Sequence, residues 1–181
     1  MGQFKFTKCD IEGLSIIEPK CFGDERGYFM ETYNYEDFKA AGLGQIFVQD
    51  NQSLSKKGVL RGLHYQKKHP QGKLVRIIKG QVYDVAVDIR PNSITYGKWH
   101  GELLSDENNK QFYIPEGFAH GFLVLSEEAV FAYKCTDFYH PEDEGGIIWN
   151  DPDLAIEWPI DDDIEIMVSE KDSKLKKLCE I

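Results

Sequence analysis

Four side chains within residues 58–76 suit acid–base chemistry on an anion: Arg61, His64, Lys73 and Arg76. Cations beside an imidazole disfavour a second positive charge on the ring, so they keep it neutral and basic while attracting a negative ligand. That combination fits an anionic substrate from which a proton is removed. The run Gly58-Val59-Leu60-Arg61-Gly62-Leu63-His64-Tyr65-Gln66, followed by Gln71-Gly72-Lys73-Leu74-Val75-Arg76, alternates apolar and polar positions, the pattern of two adjacent strands with the four side chains on a shared face. A strict period of two puts Arg61 and His64 on opposite sides of a flat strand. Gly62 is therefore informative: a glycine inside a strand marks a bulge or a close backbone approach, and either turns both side chains toward one pocket. An exposed strand face with scattered charges, its histidine satisfied by a backbone partner, fits the same residues.

A base that works without a metal needs fixed donors for the charge it creates, and Lys73 is such a donor. Tyr133, in Phe131-Ala132-Tyr133-Lys134, can return a proton from the other face of a substrate; core packing of a strand tyrosine is its alternative role. Pro115-Glu116-Gly117-Phe118-Ala119-His120 resembles the second motif of the cupin superfamily, which implies a double-stranded β-helix or jelly roll, although His120 also fits a structural histidine at a strand start. Metal-binding cupins carry two closely spaced histidines and a glutamate in their first motif. Here His64 is followed by Tyr65 and Gln66, and His64 with His120 falls short of the three side-chain ligands a catalytic metal requires, so no metal is expected.

The elements that position these residues are predicted to be mostly strands. Residues 4–8, 14–18, 46–51, 75–78, 81–89, 99–104, 111–114, 121–125 and 129–134 are strand-like, with turn-forming residues at close intervals between them, the signature of an antiparallel sandwich or barrel. An Asp24-Glu25-Arg26-Gly27 turn feeds an aromatic-rich strand ending near Tyr33. Asn34 can cap a short helix over residues 35–41, which Gly42 would terminate. Val85-Ala86-Val87 lies in a continuous apolar run and is expected deep in the core. Near the end, Asp151, Asp153, Glu157, Asp161, Asp162, Asp163 and Glu165 read as a solvated acidic segment, and Ser169-Glu170-Lys171-Asp172 as the start of a terminal helix with Leu175 and Leu178 on one face.

With 181 residues, 41% of them hydrophobic, the chain is expected to form a single domain over residues 1–181, an all-β fold with a few short peripheral helices. The formal net charge of −10 opposes nonspecific binding to nucleic acid or an anionic membrane, so an anionic ligand must be held by a local basic cluster. Residues 1–6 lack the apolar core of a signal peptide, Phe6 stands where a myristoylation signal wants Ser or Thr, and no apolar run is long enough to span a bilayer. A cytoplasmic location is expected. Cys9, Cys21, Cys135 and Cys179 stand singly, without the paired spacing of a zinc knuckle or a redox dithiol, as free thiols.

Taken together, the ordered motifs resemble one family, dTDP-4-dehydrorhamnose 3,5-epimerase. They run from Phe22-Gly23-Asp24-Glu25-Arg26-Gly27 through Phe47-Val48-Gln49-Asp50-Asn51, Leu60-Arg61-Gly62-Leu63-His64, the Lys73 motif, Asp84-Val85-Ala86-Val87-Asp88-Ile89-Arg90 and the His120 motif. Tyr133-Lys134, Trp149-Asn150-Asp151 and Ser169-Glu170-Lys171-Asp172 complete the series. The resemblance implies cofactor-free epimerisation at C3 and C5 of a dTDP-linked 4-keto-6-deoxy sugar through an enolate, as a step of dTDP-L-rhamnose biosynthesis. It implies that His64 is the base, Tyr133 the acid, Asp172 the partner of His64 and Lys73 the donor to the C4 oxygen. Arg61 and Arg26 would hold the diphosphate, while Glu31, Gln49, Asn51, His120, Glu144 and Lys171 occupy positions of other ligand contacts. It further implies a homodimer with exchanged amino-terminal strands, so that Arg26 and Glu31 can serve the partner's site. Phe138 precedes Tyr139 where relatives often have two tyrosines, which leaves the aromatic that stacks on the base open. Three other functions fit parts of the pattern: a single epimerisation, a metal-dependent cupin reaction, and nucleotide-sugar binding without turnover.

Overall fold

Alternating apolar residues and frequent turns leave the chain little choice but sheets, and a computed structural model, which describes residues 2–181, consists almost wholly of strands. In chain order they are β1 (Phe4–Lys8), β2 (Ser15–Pro19), β3 (Cys21–Asp24) and β4 (Gly27–Met30), then, after helix α1 (Tyr35–Ala40), β5 (Gln49–Lys56), β6 (Val59–Gln66) and β7 (Lys73–Lys79). There follow β8 (Gln81–Asp88), β9 (Trp99–Ser105), β10 (Gln111–Ile114), β11 (Phe118–Val124), β12 (Glu128–Cys135), β13 (Glu144–Gly146) and β14 (Met167–Val168). One sheet has the order β1-β2-β10-β7-β12-β5, the other β13-β6-β11-β8-β9 with β14 parallel to β6, and β3 pairs with β4 as a separate hairpin. Two such sheets packed face to face are the cupin-type jelly roll.

Ile16, Val75, Phe112 and Phe131 from the first sheet pack against Val82, Ala86, Leu104 and Phe122 from the second to form the central core. Strand β8 is apolar without alternation because it is covered on both faces: Ala86 belongs to that core, whereas Val85 and Val87 pack outward against Leu154, Ile156 and Trp158 of the returning carboxy-terminal segment. Helix α1 is capped by Asn34, whose side chain accepts from the amides of Glu36 and Asp37, and it buries Phe38 against Phe4, Phe6 and Tyr33 on the outer face of the first sheet.

Several expectations need correction. The strands of residues 58–76 are not neighbours: β6 lies in one sheet and β7 in the other, so their residues face each other across the sandwich instead of sharing a strand pair. The strand placed at 46–51 begins at Gln49 and runs on to Lys56. Asp151 is not solvated. It is buried, and its carboxylate accepts the amides of Asp153 and Leu178. The terminal helix is absent; only single turns form at Asp172–Lys174 and Leu178–Glu180, because the backbone between them bonds elsewhere, the Ile148 amide to the Lys176 carbonyl and the Leu178 amide to Asp151. No helix is long and apolar enough to cross a membrane among the described residues.

Candidate active site

The bulge expected at Gly62 is present and decides where two side chains point. Pairing of β6 with β11 joins His64 to His120 and Arg61 to Phe122, three residues along β6 against two along β11, so β6 carries one extra residue between them. That extra residue restores the parity that a flat strand lacks, and Arg61 and His64 both line one cavity of about 600 Å³. Gly62 has φ +115°, and a Cβ there would lie 2.6 Å from the Gly121 Cα and 2.7 Å from the His120 carbonyl oxygen. Only glycine fits both the conformation and the approach.

The cavity opens between the sheets. Arg61, His64 and His120 enter from the second sheet, Asn51, Lys73 and Tyr133 from the first, and Glu144, Lys171 and Asp172 from segments that close its edge. Phe122 and Phe131, stacked at 4.1 Å across the two sheets, also line it.

His64 is held by Asp172. Its Nε2 lies 2.8 Å from Asp172 Oδ1, while the Gly62 amide donates to Oδ2 at 3.1 Å and the Asp172 amide donates to Ser169 Oγ at 3.0 Å. Burial alone would raise the Asp172 carboxyl, but the His64 contact, the Gly62 amide and the Ser169 hydroxyl together hold it below its usual value. An ionised carboxylate only accepts, so Nε2 carries the hydrogen and Nδ1 the lone pair. That is the tautomer a base needs.

Lys73 has no hydrogen bond or ion pair among the described residues, and burial pushes its ammonium down from the ordinary lysine value, against the pull of Cys135, Asp84 and Glu144. A half-buried cation without a partner favours any anion that forms beside it. Tyr133 sits edge-on to Phe131, and burial raises its phenol, so the hydroxyl stays protonated at neutral pH. Arg61 donates from Nε and Nη2 to Ser55 Oγ at 3.2 and 3.1 Å and pairs with no carboxylate among the described residues, which leaves its charge for a ligand.

The remaining candidates divide. Glu144 accepts from Lys171 Nζ at 2.6 Å and from the Tyr139 hydroxyl at 2.7 Å, and its other oxygen lies 4.0 Å from His64 Nε2. Asn51 lines the cavity, and Gln49 reaches it indirectly by donating to Asn51 Oδ1 at 3.1 Å. His120 is buried, its Nε2 2.9 and 3.0 Å from the two oxygens of Asp84, and burial lowers its pKa, so the ring is neutral at neutral pH. Arg26 and Glu31 lie outside the cavity within one subunit: Arg26 is exposed in the β3–β4 turn and bound to Asp24, and Glu31 accepts from Asn34. Arg76 leaves the shared face proposed for it. Strand alternation from Lys73 turns it to the outer side of the first sheet, beside a second cavity of about 290 Å³ with Asp50, Gln111 and Lys134.

Three residues that steady the site were not among the candidates. Asp84 anchors His120; its signal was a carboxylate set between Tyr83 and Val85 in the largely apolar β8, which must find a buried partner. Ser55 and Ser169, which steady Arg61 and Asp172, carry no comparable signal. No group of three or more His, Cys, Asp or Glu side chains is arranged to hold a metal ion among the described residues.

Comparison with known proteins supplies an independent line. A family model described as dTDP-4-dehydrorhamnose 3,5-epimerase matches residues 8–180. A relative of that name from Methanothermobacter thermautotrophicus is 57% identical over 180 residues, 99% of this chain and 97% of the relative. The crystal structure of dTDP-6-deoxy-D-glucose-3,5-epimerase from Legionella pneumophila in complex with dTDP-4-keto-L-rhamnose superposes with a TM-score of 0.95 at 53% identity, covering 98% of this chain and 94% of that one. A 3'-monoepimerase from Streptomyces bikiniensis in complex with dTDP-quinovose is more distant, with a TM-score of 0.88 at 35% identity over 94% of this chain and 86% of that one.

Proposed function

The chain belongs to the dTDP-4-dehydrorhamnose 3,5-epimerase family, and from that premise we propose how its cavity converts dTDP-4-dehydro-6-deoxy-D-glucose into dTDP-4-dehydro-L-rhamnose. The C4 ketone acidifies the C–H bonds at both C3 and C5, because loss of either proton leaves an enolate with its charge on the C4 oxygen. His64 takes the proton on Nδ1, and Asp172 stabilises the imidazolium that results. Tyr133, entering from the opposite sheet, returns a proton to the other face of the ring, which inverts the carbon. Lys73 shelters the oxyanion, and because it lacks a partner no existing ion pair must break first. Arg61 binds the diphosphate, with Asn51, Gln49, His120, Glu144 and Lys171 around the remainder of the substrate.

A single observation carries this assignment: a carboxylate-backed imidazole and a protonated phenol reach one cavity from facing sheets. The chain works as a single cytoplasmic domain without a cofactor, and as a homodimer. Phe22, Tyr28 and Phe29 of the β3–β4 hairpin are exposed large apolar side chains, and this hairpin carries Arg26, with Glu31 just beyond it, into the partner's cavity. Turnover of the substrate in heavy water tests the chemistry. Deuterium is expected at both C3 and C5; label at one carbon alone makes the enzyme a mono-epimerase. Activity lost to a chelator and restored by a metal ion would replace the proposed mechanism with a metal-dependent one.

A further inference from the structure

Tyr139 stands at the rim of the cavity in the segment between β12 and β13, half exposed, with its hydroxyl on the cavity-lining Glu144. Exposed segments of this kind are ordinarily loose. Here the peptide groups on either side of the ring are tied down by two glutamines from different sheets. Gln66, buried at the end of β6, donates from Nε2 to the Phe138 carbonyl at 3.1 Å and to the His69 carbonyl at 2.6 Å, and its Oε1 accepts the His140 amide at 2.7 Å. Gln49, at the start of β5, accepts the Tyr139 amide at 3.0 Å.

Both Nε2 hydrogens and the Oε1 oxygen of Gln66 are thus engaged, and the three partners are all backbone groups, so it reads shape and not side-chain identity. It joins the loop after β6 to the segment before β13, where the rings of His69 and His140 also stack at 4.0 Å. Gln66 does not line the large cavity, and in the β6–β13 ladder it is the register partner of Glu144. Two routes lead from it to Glu144: directly through the ladder, and through Tyr139, whose hydroxyl shares Glu144 Oε2 with Lys171.

We propose that Gln66 is a positioning residue of the epimerase site, one that pre-orders the Tyr139 segment and, through it, the Glu144–Lys171 edge of the cavity. The proposal rests on the functional assignment above. Its energetic content is entropic: a segment already ordered in the free enzyme need not be ordered by the substrate. The proton-transfer groups are fixed separately, His64 and Asp172 by Gly62 and Ser169, and Tyr133 by its core packing. Loosening the Tyr139 segment therefore weakens ground-state and transition-state binding alike, which raises KM and leaves kcat.

Gln66→Met removes all three hydrogen bonds at nearly constant size, and Gln66→Glu keeps an acceptor for the His140 amide while setting a carboxylate against two carbonyls. In both variants KM for the keto-sugar nucleotide and the Kd of free dTDP, measured by calorimetry, are expected to rise about ten-fold, with kcat within about three-fold of the unmodified enzyme. Amide hydrogen exchange at Tyr139, whose acceptor is Gln49 and is unchanged in both variants, should accelerate in step. A merely structural glutamine gives a different pattern, a lower active fraction and melting temperature with KM and Kd unchanged, and that result overturns the proposal. If Gln66→Met does not fold, Gln66→Glu decides by the same criteria. Failure of the unmodified enzyme to turn over the substrate would sink the functional assignment instead, and the Tyr139 exchange comparison, which needs no substrate, still judges the clasp: unchanged exchange in the variants rules it out.

Discussion

Nε2 of His64 and Oδ1 of Asp172 meet at 2.8 Å across 108 residues of chain. Asp172 also accepts from the Gly62 amide, so the carboxylate that orients the imidazole is tied to the same bulge that aims it. His64→Asn is expected to lower kcat by about 10³-fold or more while the Kd for dTDP stays within a few-fold, since an amide cannot take the proton. Asp172→Asn should lower kcat by about 10²- to 10⁴-fold through loss of the tautomer and of imidazolium stabilisation. Steady-state kinetics with dTDP calorimetry checks both; near-normal turnover in His64→Asn removes this residue from the role of base.

Tyr133→Phe keeps the ring and its packing but removes the proton donor. Solvent deuterium should still enter the recovered starting sugar from the His64 side, while inverted product falls by about 10²-fold or more. Mass spectrometry of substrate and product separates the two. Full double inversion by this variant would count against the assignment of the acid.

Lys73→Met preserves the length and bulk of the side chain without its charge. Because the ammonium has no partner among the described residues, its removal strands no carboxylate there, and the fold should be at least as stable by thermal melting. Turnover should drop by about 10²- to 10³-fold, the usual cost of one oxyanion donor. A variant destabilised by several degrees with unaltered kcat contradicts the proposed role.

Gly62→Ala combines a positive φ with backbone contacts at 2.6 and 2.7 Å that cannot yield as a flexible side chain would. A loss of about 3 kcal/mol or more is expected in urea unfolding. Activity should fall further than stability accounts for, as the bulge aims His64 and Arg61. Wild-type stability in this variant would mean that β6 pairs with β11 in some other way.

His100 provides a pH dependence remote from the cavity. Beside the Cys9 side chain, and with Nε2 3.7 Å from a Glu102 oxygen, its pKa is raised to about 9. A histidine whose folded pKa lies above its unfolded value near 6.5 contributes stability fully below that value and loses it as pH rises through about 9. Melting temperature is expected to fall between pH 6.5 and 9.5, with about 1–2 kcal/mol of the decline absent in His100→Gln. Parallel curves for the two proteins would show that His100 contributes nothing.

Local chemistry made most of the elements legible in the chain. Asn34 announces helix α1, Val85-Ala86-Val87 the doubly covered strand, Gly62 the bulge, and His64, Lys73 and Tyr133 a set of proton-handling groups that do line one cavity, because capping, alternation and acid–base character are properties of residues and near neighbours. Tertiary structure decided which of these groups meet. It set β6 and β7 in opposite sheets, so that His64 faces Lys73 and Tyr133 across a cavity, turned Arg76 away from that cavity, buried Asp151 and Asp84, and broke the last residues into single turns in place of a helix. Strand order and register are settled by contacts between residues tens to hundreds of positions apart, and a pattern of period two looks the same whichever strand lies beside it.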